Sequence, residues 1–140
     1  MVLPCGTGAT LAGLVAGLAD ACAVHGVAVL KGGDFLRGAV QGQLEALGAG
    51  HRRRWAIDTE RHGGGYAKVA PALAEFTAAF SRRTGIPVEP VYTGKMLHAL
   101  WQDIGQGRFA RGTRLLALHT GGLQGARGGP ATDQPSTGPR

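Results

Sequence analysis

The sequence predicts an α/β fold, in which an open parallel sheet carries helices on both of its faces. Short, continuous apolar segments alternate with longer segments whose apolar residues recur at helical spacing. Continuous rather than alternating apolar strands are typical of parallel sheets that are covered on both sides. The 25 glycines stand mostly between these segments, where a backbone needs a positive φ or a close approach.

The chain opens with a predicted strand over residues 1–3, which leads into a glycine–threonine loop and a helix. Only these residues precede Pro4, which makes the strand unusually short for such a sheet. We therefore expect the chain to be the later part of a longer protein, truncated at its N-terminus. The helix is predicted over residues 10–24, before a break at Gly26, from apolar residues at i, i+3, i+4 and i+7: Leu11, Leu14, Val15 and Leu18.

The middle of the chain is predicted to continue the alternation. Residues 27–30 form a short buried strand, and Asp34 is a candidate N-cap for a helix that ends near residue 47. Residues 53–57 are predicted to form a further strand. A glycine-rich loop then extends to Tyr66.

Two more helices and a last strand are predicted in the second half. Pro71 begins a helix that ends near Gly85. The next helix follows "VYTGK", and residues 115–119 are predicted to be a buried strand. Residues 126–140 offer almost nothing to bury, so we expect a domain over residues 1–125 and a disordered tail over 126–140. The apolar positions assigned to the core of the helix after "VYTGK" are Met96, Leu97, Leu100, Trp101 and Ile104.

Composition argues against several classes of function. The net charge is +6, but the arginines are scattered and only 6% of residues are aromatic, which favours a solvated basic surface over a nucleic-acid site. No apolar run reaches the ~20 residues that span a bilayer, so no membrane partner is expected. Cys5 and Cys22 lack metal-type spacing, which predicts reduced thiols, a cytoplasmic protein and no metal site.

The loop "GTGAT" has the features of an anion site. Gly6 and Gly8 let the backbone curl without a Cβ, Thr7 and Thr10 offer hydroxyls, and the helix start presents unpaired N–H groups. Leu11 stands where the dinucleotide fingerprint needs a third glycine, and no Lys-Ser/Thr pair follows as in a P-loop. A single phosphate therefore fits best. A tight turn with a threonine cap explains the same residues equally well.

Three later stretches carry a resemblance to a known family. "VAVLKGGDFL" (27–36), "PVYTGKM" (90–96) and "LLALHTGGLQG" (115–125) resemble the pyridoxal-phosphate (PLP) family of 1-aminocyclopropane-1-carboxylate deaminases and D-cysteine desulfhydrases. That family has the tryptophan-synthase-β type of fold. The similarity extends in order from Gly6 to about Gly128 and corresponds to the later part of a family member.

The resemblance implies PLP as cofactor, a small amino acid as substrate and a homodimer for a complete member. Tyr92 and Tyr66 match tyrosines close to substrate and cofactor. Thr120 matches the residue that hydrogen-bonds the pyridine nitrogen, and Thr93 follows Tyr92 in the cofactor site. The residues that match the phosphate-binding loop are Gly6, Thr7, Gly8, Ala9 and Thr10.

Two departures from the family bear on the reaction. Deaminases usually carry Glu at the position of Thr93 and Leu at the position of Thr120. A threonine hydroxyl shares only a neutral hydrogen bond with the ring nitrogen, which suits a β-elimination whose leaving thiolate accepts the electrons. A D-cysteine desulfhydrase-like reaction is therefore predicted, with 1-aminocyclopropane-1-carboxylate deaminase-like activity as the alternative.

The lysines raise a second hypothesis. Family members hold the cofactor through a Schiff-base lysine that lies far upstream of the phosphate loop. Lys31 and Lys95 match family positions that are not this lysine, and Lys68 has no supporting motif. The Schiff-base lysine is thus predicted to be absent, and a truncated, non-catalytic phosphate-binding fragment is the competing interpretation.

Overall fold

The computed structural model describes residues 1–18 and 22–123, so the tail predicted over 126–140 lies outside the described residues. Strands and helices alternate through the first half of the chain, and two helices follow. The elements are β1 (Val2–Cys5), α1 (Ala9–Gly17), β2 (Val24–Ala28), α2 (Phe35–Ala46), β3 (Trp55–Asp58), α3 (Pro71–Thr84) and α4 (Thr93–Gly105).

The three strands form a parallel sheet in the order β1-β2-β3. Side chains of successive strand residues point to opposite faces. Leu3 and Cys5 pack into a core with α1 and α2, whereas Val2 and Val27 pack with Met96 of α4 on the other face. Helix α3 lies against α4. The predicted open parallel sheet with helices on both faces is confirmed.

Helix α1 and strand β2 lie differently from their predicted positions. The helix ends at Gly17, because Leu18 has an extended backbone with φ −87° and ψ 149°, so the prediction of a helix to residue 24 is wrong. Gly26 lies inside β2 and does not precede it. A Cβ there would lie 3.2 Å from atoms of both Cys5 and Leu11, so glycine lets α1 approach the sheet closely.

Two local predictions around the middle strands also need correction. Asp34 precedes α2 but makes no side-chain cap hydrogen bond, because its own backbone is already helical. Its carboxylate instead accepts a hydrogen bond of 3.3 Å from the Thr59 hydroxyl. Strand β3 begins at Trp55, later than the predicted residue 53.

The segment 115–119 joins the sheet at one point and does not form the predicted strand. A single parallel bridge pairs Ala117 with Val2, whose N–H and C=O bond to Leu116 and Leu118 at 2.8 Å each. The next donor toward this segment along β1 would be Pro4, which has no N–H. The ladder therefore stops after one residue pair.

Helix α4 is only partly a core helix. Met96 is fully buried, as predicted, but Trp101 is 63% exposed and Ile104 is 50% exposed. The Trp101 ring lies 6.3 Å from that of Phe76 on α3, and most of the Trp101 side chain faces solvent. No helix in the described ranges combines the length and the apolar composition that crossing a membrane requires.

Candidate functional site

The candidate site lies at the edge of the sheet where the parallel strands end. The glycine–threonine loop follows β1, residues 29–34 follow β2 and the glycine-rich loop follows β3. Helix α4 begins at the same edge. In open parallel sheets this edge is where ligands bind, because loops from neighbouring strands converge there.

The glycine–threonine loop folds into a cup at the start of α1. Gly8 has φ +85°, and a Cβ on it would lie 2.5 Å from Val40 Cγ2 of α2. Helix α1 has no side-chain cap hydrogen bond and no acidic residue in its first turn, so no side-chain charge of that turn neutralises its positive dipole end. Thr7, Ala9 and Thr10 are exposed. The residues from Pro4 to Leu11 enclose a cavity of about 40 Å³, which suits a small anion held by backbone N–H groups.

The two tyrosines meet beside this cup. A Cβ on Gly6 would lie 3.6 Å from Tyr92 Cε1, so the cup and Tyr92 are in contact. The rings of Tyr92 and Tyr66 meet edge to face, with centroids 6.1 Å apart and planes at 73°. Tyr92 is half-buried and Tyr66 is 58% exposed. The structure thus brings together the phosphate-loop and tyrosine positions that the sequence singled out.

Tyr92 is held in its protonated form by its neighbours. The neighbouring Tyr66 hydroxyl raises the pKa of Tyr92, and burial and the negative charge of Glu89 raise it further. A phenol with a raised pKa remains protonated at neutral pH. Tyr92 can therefore donate a hydrogen bond at this edge.

Thr93 presents an unused hydroxyl at the start of α4. The residue is 1% exposed, and its Oγ1 is buried without a hydrogen-bond partner among the described residues. Buried hydroxyls are nearly always paired, since leaving one unpaired costs free energy. Its capacity to bond is consistent with a ligand that reaches this point.

Thr120 lies on a loop that is anchored against the start of α4. His119 Nδ1 accepts a hydrogen bond of 3.0 Å from Gly121 N–H, so its Nε2 carries the proton and donates to Pro87 O at 2.9 Å. A Cβ on Gly122 would lie 3.7 Å from Glu89 Cδ. These contacts bring the exposed Thr120 to the same edge as Thr93.

Lys95 is a buried lysine that sequence reasoning treated only as a motif residue. It is 2% exposed, and its Nζ donates hydrogen bonds to Gly65 O at 2.6 Å and to Val29 O at 3.3 Å. Burial lowers the pKa of Lys95, and the charge of Glu89 partly restores it. Lys31 and Lys68 are exposed.

Glu89 is a buried acidic residue of the candidate site that the sequence pattern does not single out. Its side chain is fully buried, and its carboxylate accepts hydrogen bonds from the N–H groups of Val91, Tyr92 and Thr93. The available signal was an acidic residue just before a helix, where it satisfies free N–H groups and the helix dipole.

Cys5, beside the cup, is a core residue. It is 2% exposed, and burial raises the pKa of its thiol, which keeps it unreactive. Across residues 1–18 and 22–123, the His, Cys, Asp and Glu side chains form no group of three or more that would hold a metal ion.

Comparisons with known proteins show the family to which the chain belongs. A family described as pyridoxal-phosphate-dependent enzymes matches residues 1–121. A mitochondrial bifunctional D-cysteine desulfhydrase/1-aminocyclopropane-1-carboxylate deaminase from Arabidopsis thaliana is 34% identical over 89% of this chain and 32% of its own length. A putative 1-aminocyclopropane-1-carboxylate deaminase from Pyrococcus furiosus is 32% identical over 89% of this chain and 40% of its own.

A solved structure, the crystal structure of an ACC deaminase homologue, matches with a TM-score of 0.74 and 28% identity. The match covers 89% of this chain and 40% of that one. The chain therefore spans between 32% and 40% of the length of these relatives.

Proposed function

The chain belongs to the family of pyridoxal-phosphate-dependent enzymes, and on that premise we propose that it forms the phosphate-binding side of an active site for β-elimination from a small amino acid. The leading substrate is D-cysteine, which with water gives pyruvate, sulfide and ammonia. The proposal assigns residues 1–125 to the enzyme domain. It also includes a cytoplasmic location and a homodimer for the complete enzyme, both supported by the sequence analysis alone.

The observation that carries the proposal is the buried Thr93 hydroxyl, which has no partner among the described residues and lies at the edge that also holds the phosphate-sized cup. The cup has no room for a side chain at Gly8, and the backbone N–H groups at the start of α1 are suited to an anion. These residues therefore fit a phosphorylated cofactor. When bound, PLP supplies the electron-withdrawing ring on which elimination from amino acids depends.

The chain's own residues divide the work between binding and proton handling. The backbone N–H groups and threonine hydroxyls of residues 6–10 would bind the phosphate. The hydroxyls of Thr93 and Thr120 would hold the ring end through neutral hydrogen bonds. Tyr92 stays protonated and donates a hydrogen bond from its phenol to the leaving thiolate, and Tyr66 fixes the orientation of Tyr92.

The choice of D-cysteine rests on the two threonines. Neutral hydroxyls at Thr93 and Thr120 favour a reaction in which the leaving group itself accepts the electron pair. The name of the Arabidopsis relative includes both D-cysteine desulfhydrase and 1-aminocyclopropane-1-carboxylate deaminase, so the second activity is the alternative within the family.

A non-catalytic phosphate-binding role is the second candidate. It is favoured by the lysines, because the Nζ of Lys95 is bonded to two backbone carbonyls while Lys31 and Lys68 are exposed and match no Schiff-base motif. In this reading the chain retains the cup and the tyrosines without turnover.

Turnover by the purified 140-residue chain with saturating PLP separates these possibilities. Sulfide and pyruvate are measured with D-cysteine, and ammonia and 2-oxobutanoate with 1-aminocyclopropane-1-carboxylate. Faster turnover of D-cysteine supports the proposal, and faster turnover of the cyclopropane substrate selects the deaminase alternative. PLP binding without either product supports the phosphate-binding side of the site and a non-catalytic role for this chain by itself, and failure to bind PLP overturns all three.

A further inference from the structure

We propose that Glu89 and Lys95, two buried residues of opposite charge near the start of α4, are positioning residues that hold Tyr92, Thr93 and Tyr66 in their places. Glu89 acts on the first two and Lys95 on the third. The use of these three side chains in catalysis rests on the proposed function. Their arrangement is a property of the chain itself.

Glu89 fixes the backbone from which Tyr92 and Thr93 project. The Tyr92 N–H lies 2.9 Å from one carboxylate oxygen of Glu89, and the Thr93 N–H lies 2.6 Å from the other. The backbone carbonyl of Glu89 accepts the N–H of Gly94 at 2.8 Å. The first N–H groups of a helix have no partner within the helix and need one when the helix end is buried. At the start of α4, Glu89 provides these partners.

The surroundings leave Glu89 little room to move. A Cβ on Gly94 would lie 2.6 Å from Glu89 O and 2.5 Å from Thr77 Cγ2, so the start of α4 packs tightly against both. Gly122 packs against the Glu89 carboxylate from the other side. Glu89 therefore stands where α3, α4 and the loop that carries Thr120 meet.

Lys95 ties the loop that carries Tyr66 to the end of β2. Its Nζ bonds to Gly65 O, directly before Tyr66, and to Val29 O, directly after β2. A Cβ on Gly63 would lie 3.2 Å from Lys95 Cε, so the loop backbone lies on the lysine side chain. Because Lys95 is anchored in α4, it sets the distance between Tyr66 and the helix that begins beside Tyr92.

The two charges also act on each other, and Glu89 acts on Tyr92. The charge of Glu89 raises the pKa of Lys95 and that of Tyr92. A buried charge is costly by itself and is tolerated when an opposite charge and hydrogen bonds accompany it. A substitution of Glu89 is therefore expected to alter Tyr92 electrostatically as well as structurally.

The tyrosines report on this arrangement directly. The chain has two tyrosines, Tyr66 and Tyr92, so phenolate absorbance titrates only the site. We expect Glu89→Gln to move the Tyr92 midpoint to lower pH, because it removes a negative charge that favours the protonated phenol. Glu89→Asp retains the charge and keeps the midpoint near that of the wild type. Glu75→Gln makes the same change at an exposed position of α3 and leaves it unmoved.

Backbone hydrogen exchange tests the Lys95 contact. Gly65 O also accepts the Lys68 N–H, at 3.1 Å. Lys95→Met is expected to speed exchange at the Lys68 amide about tenfold or more, as loss of a charged hydrogen bond allows. Lys31→Met, at an exposed lysine whose Cβ lies near the same loop, is the control and leaves that rate unchanged.

Several outcomes would overturn the inference. These are an unmoved midpoint in Glu89→Gln, an equal shift in Glu75→Gln, and no change of exchange in Lys95→Met. If Glu89→Gln does not fold, the wild type still decides, since unprotected amides at Tyr92 and Thr93 contradict the assigned bonds. None of these measurements needs PLP, so they stand apart from a failure of the proposed function.

Discussion

The phenol rings of Tyr66 and Tyr92 meet edge to face at 6.1 Å, although the whole of α3 separates them along the chain. One tyrosine lies on the glycine-rich loop after β3 and the other directly precedes α4. Their contact joins the two segments beside the phosphate cup. It also makes the titration of Tyr92 depend on Tyr66.

We expect Tyr66→Phe to lower the pKa of Tyr92. The neighbouring Tyr66 hydroxyl makes the largest contribution that raises this pKa, and phenylalanine removes the hydroxyl while it preserves the ring contact. Tyr92 is then the sole tyrosine of the chain, so phenolate absorbance against pH reports it alone. An unmoved midpoint relative to the Tyr92 transition of the wild type would show that the Tyr66 hydroxyl does not act on Tyr92.

We expect Gly8→Ala to destabilise the fold by about 2 kcal/mol and to weaken phosphate binding, because it places a Cβ in the left-handed region and against Val40. Gly13→Ala is the matched control on the same helix. Gly13 has open space around it, and alanine there stabilises by about 0.5–1 kcal/mol. Urea unfolding of both variants checks the pair, and equal effects would contradict the close packing at Gly8.

The variant Thr93→Val tests whether the Thr93 hydroxyl binds the cofactor or stabilises the fold. Because Thr93 Oγ1 has no described partner, we expect its removal to leave the free energy of unfolding unchanged or slightly raised, and to weaken PLP binding about tenfold. The control is Thr77→Val, which removes a hydroxyl that donates to Ala74 O at 3.0 Å and costs about 1 kcal/mol. A large loss of stability in Thr93→Val with unchanged PLP affinity would refute the assignment.

The stability of the fold is expected to fall as the pH drops below 6.5. Burial against α3, where the rings of His98 and Phe76 lie 5.1 Å apart, lowers the pKa of His98 from its ordinary 6.5. Between that lowered pKa and 6.5, the unfolded chain binds more protons than the folded chain. The free energy of unfolding therefore rises with pH in this window, and this gain in stability is lost on acidification. His25, also with a lowered pKa, adds to the effect.

His98→Gln is therefore expected to flatten the pH dependence of the free energy of unfolding in this window. His51→Gln replaces an exposed histidine and serves as the control. Thermal unfolding across the window provides the measurement. An identical slope in the wild type and His98→Gln would rule out a contribution from this ring.

Pattern in the sequence predicted the fold class and most elements, because burial on both faces of a parallel sheet imposes continuous apolar strands. It misplaced features that depend on distant contacts. The pattern predicts a break at Gly26, yet Gly26 lies within β2, where the missing Cβ leaves space for α1. The apolar pattern predicts a strand over 115–119, but only Ala117 pairs with β1. Pro4 of β1 has no N–H to donate to this segment, and the sequence pattern of 115–119 does not show that.

The candidate site was predicted in part. The cup and the tyrosines were found from local motifs, and the structure places them together. Glu89 and Lys95 were missed as organising residues, because burial by three different segments makes them important and no local pattern records that. Helical spacing alone predicts Trp101 to be a core residue. Its ring contacts Phe76 of α3, but most of the side chain is exposed to solvent.

The central claim is that the cup after β1 binds the phosphate of PLP, and equilibrium dialysis of the 140-residue chain tests it most directly. PLP and pyridoxal, which lacks the phosphate, are compared with and without inorganic phosphate as competitor. We predict that PLP binds one per chain, that pyridoxal binds at least tenfold more weakly, and that phosphate displaces PLP. Equal binding of PLP and pyridoxal, or no binding of either, would contradict the account.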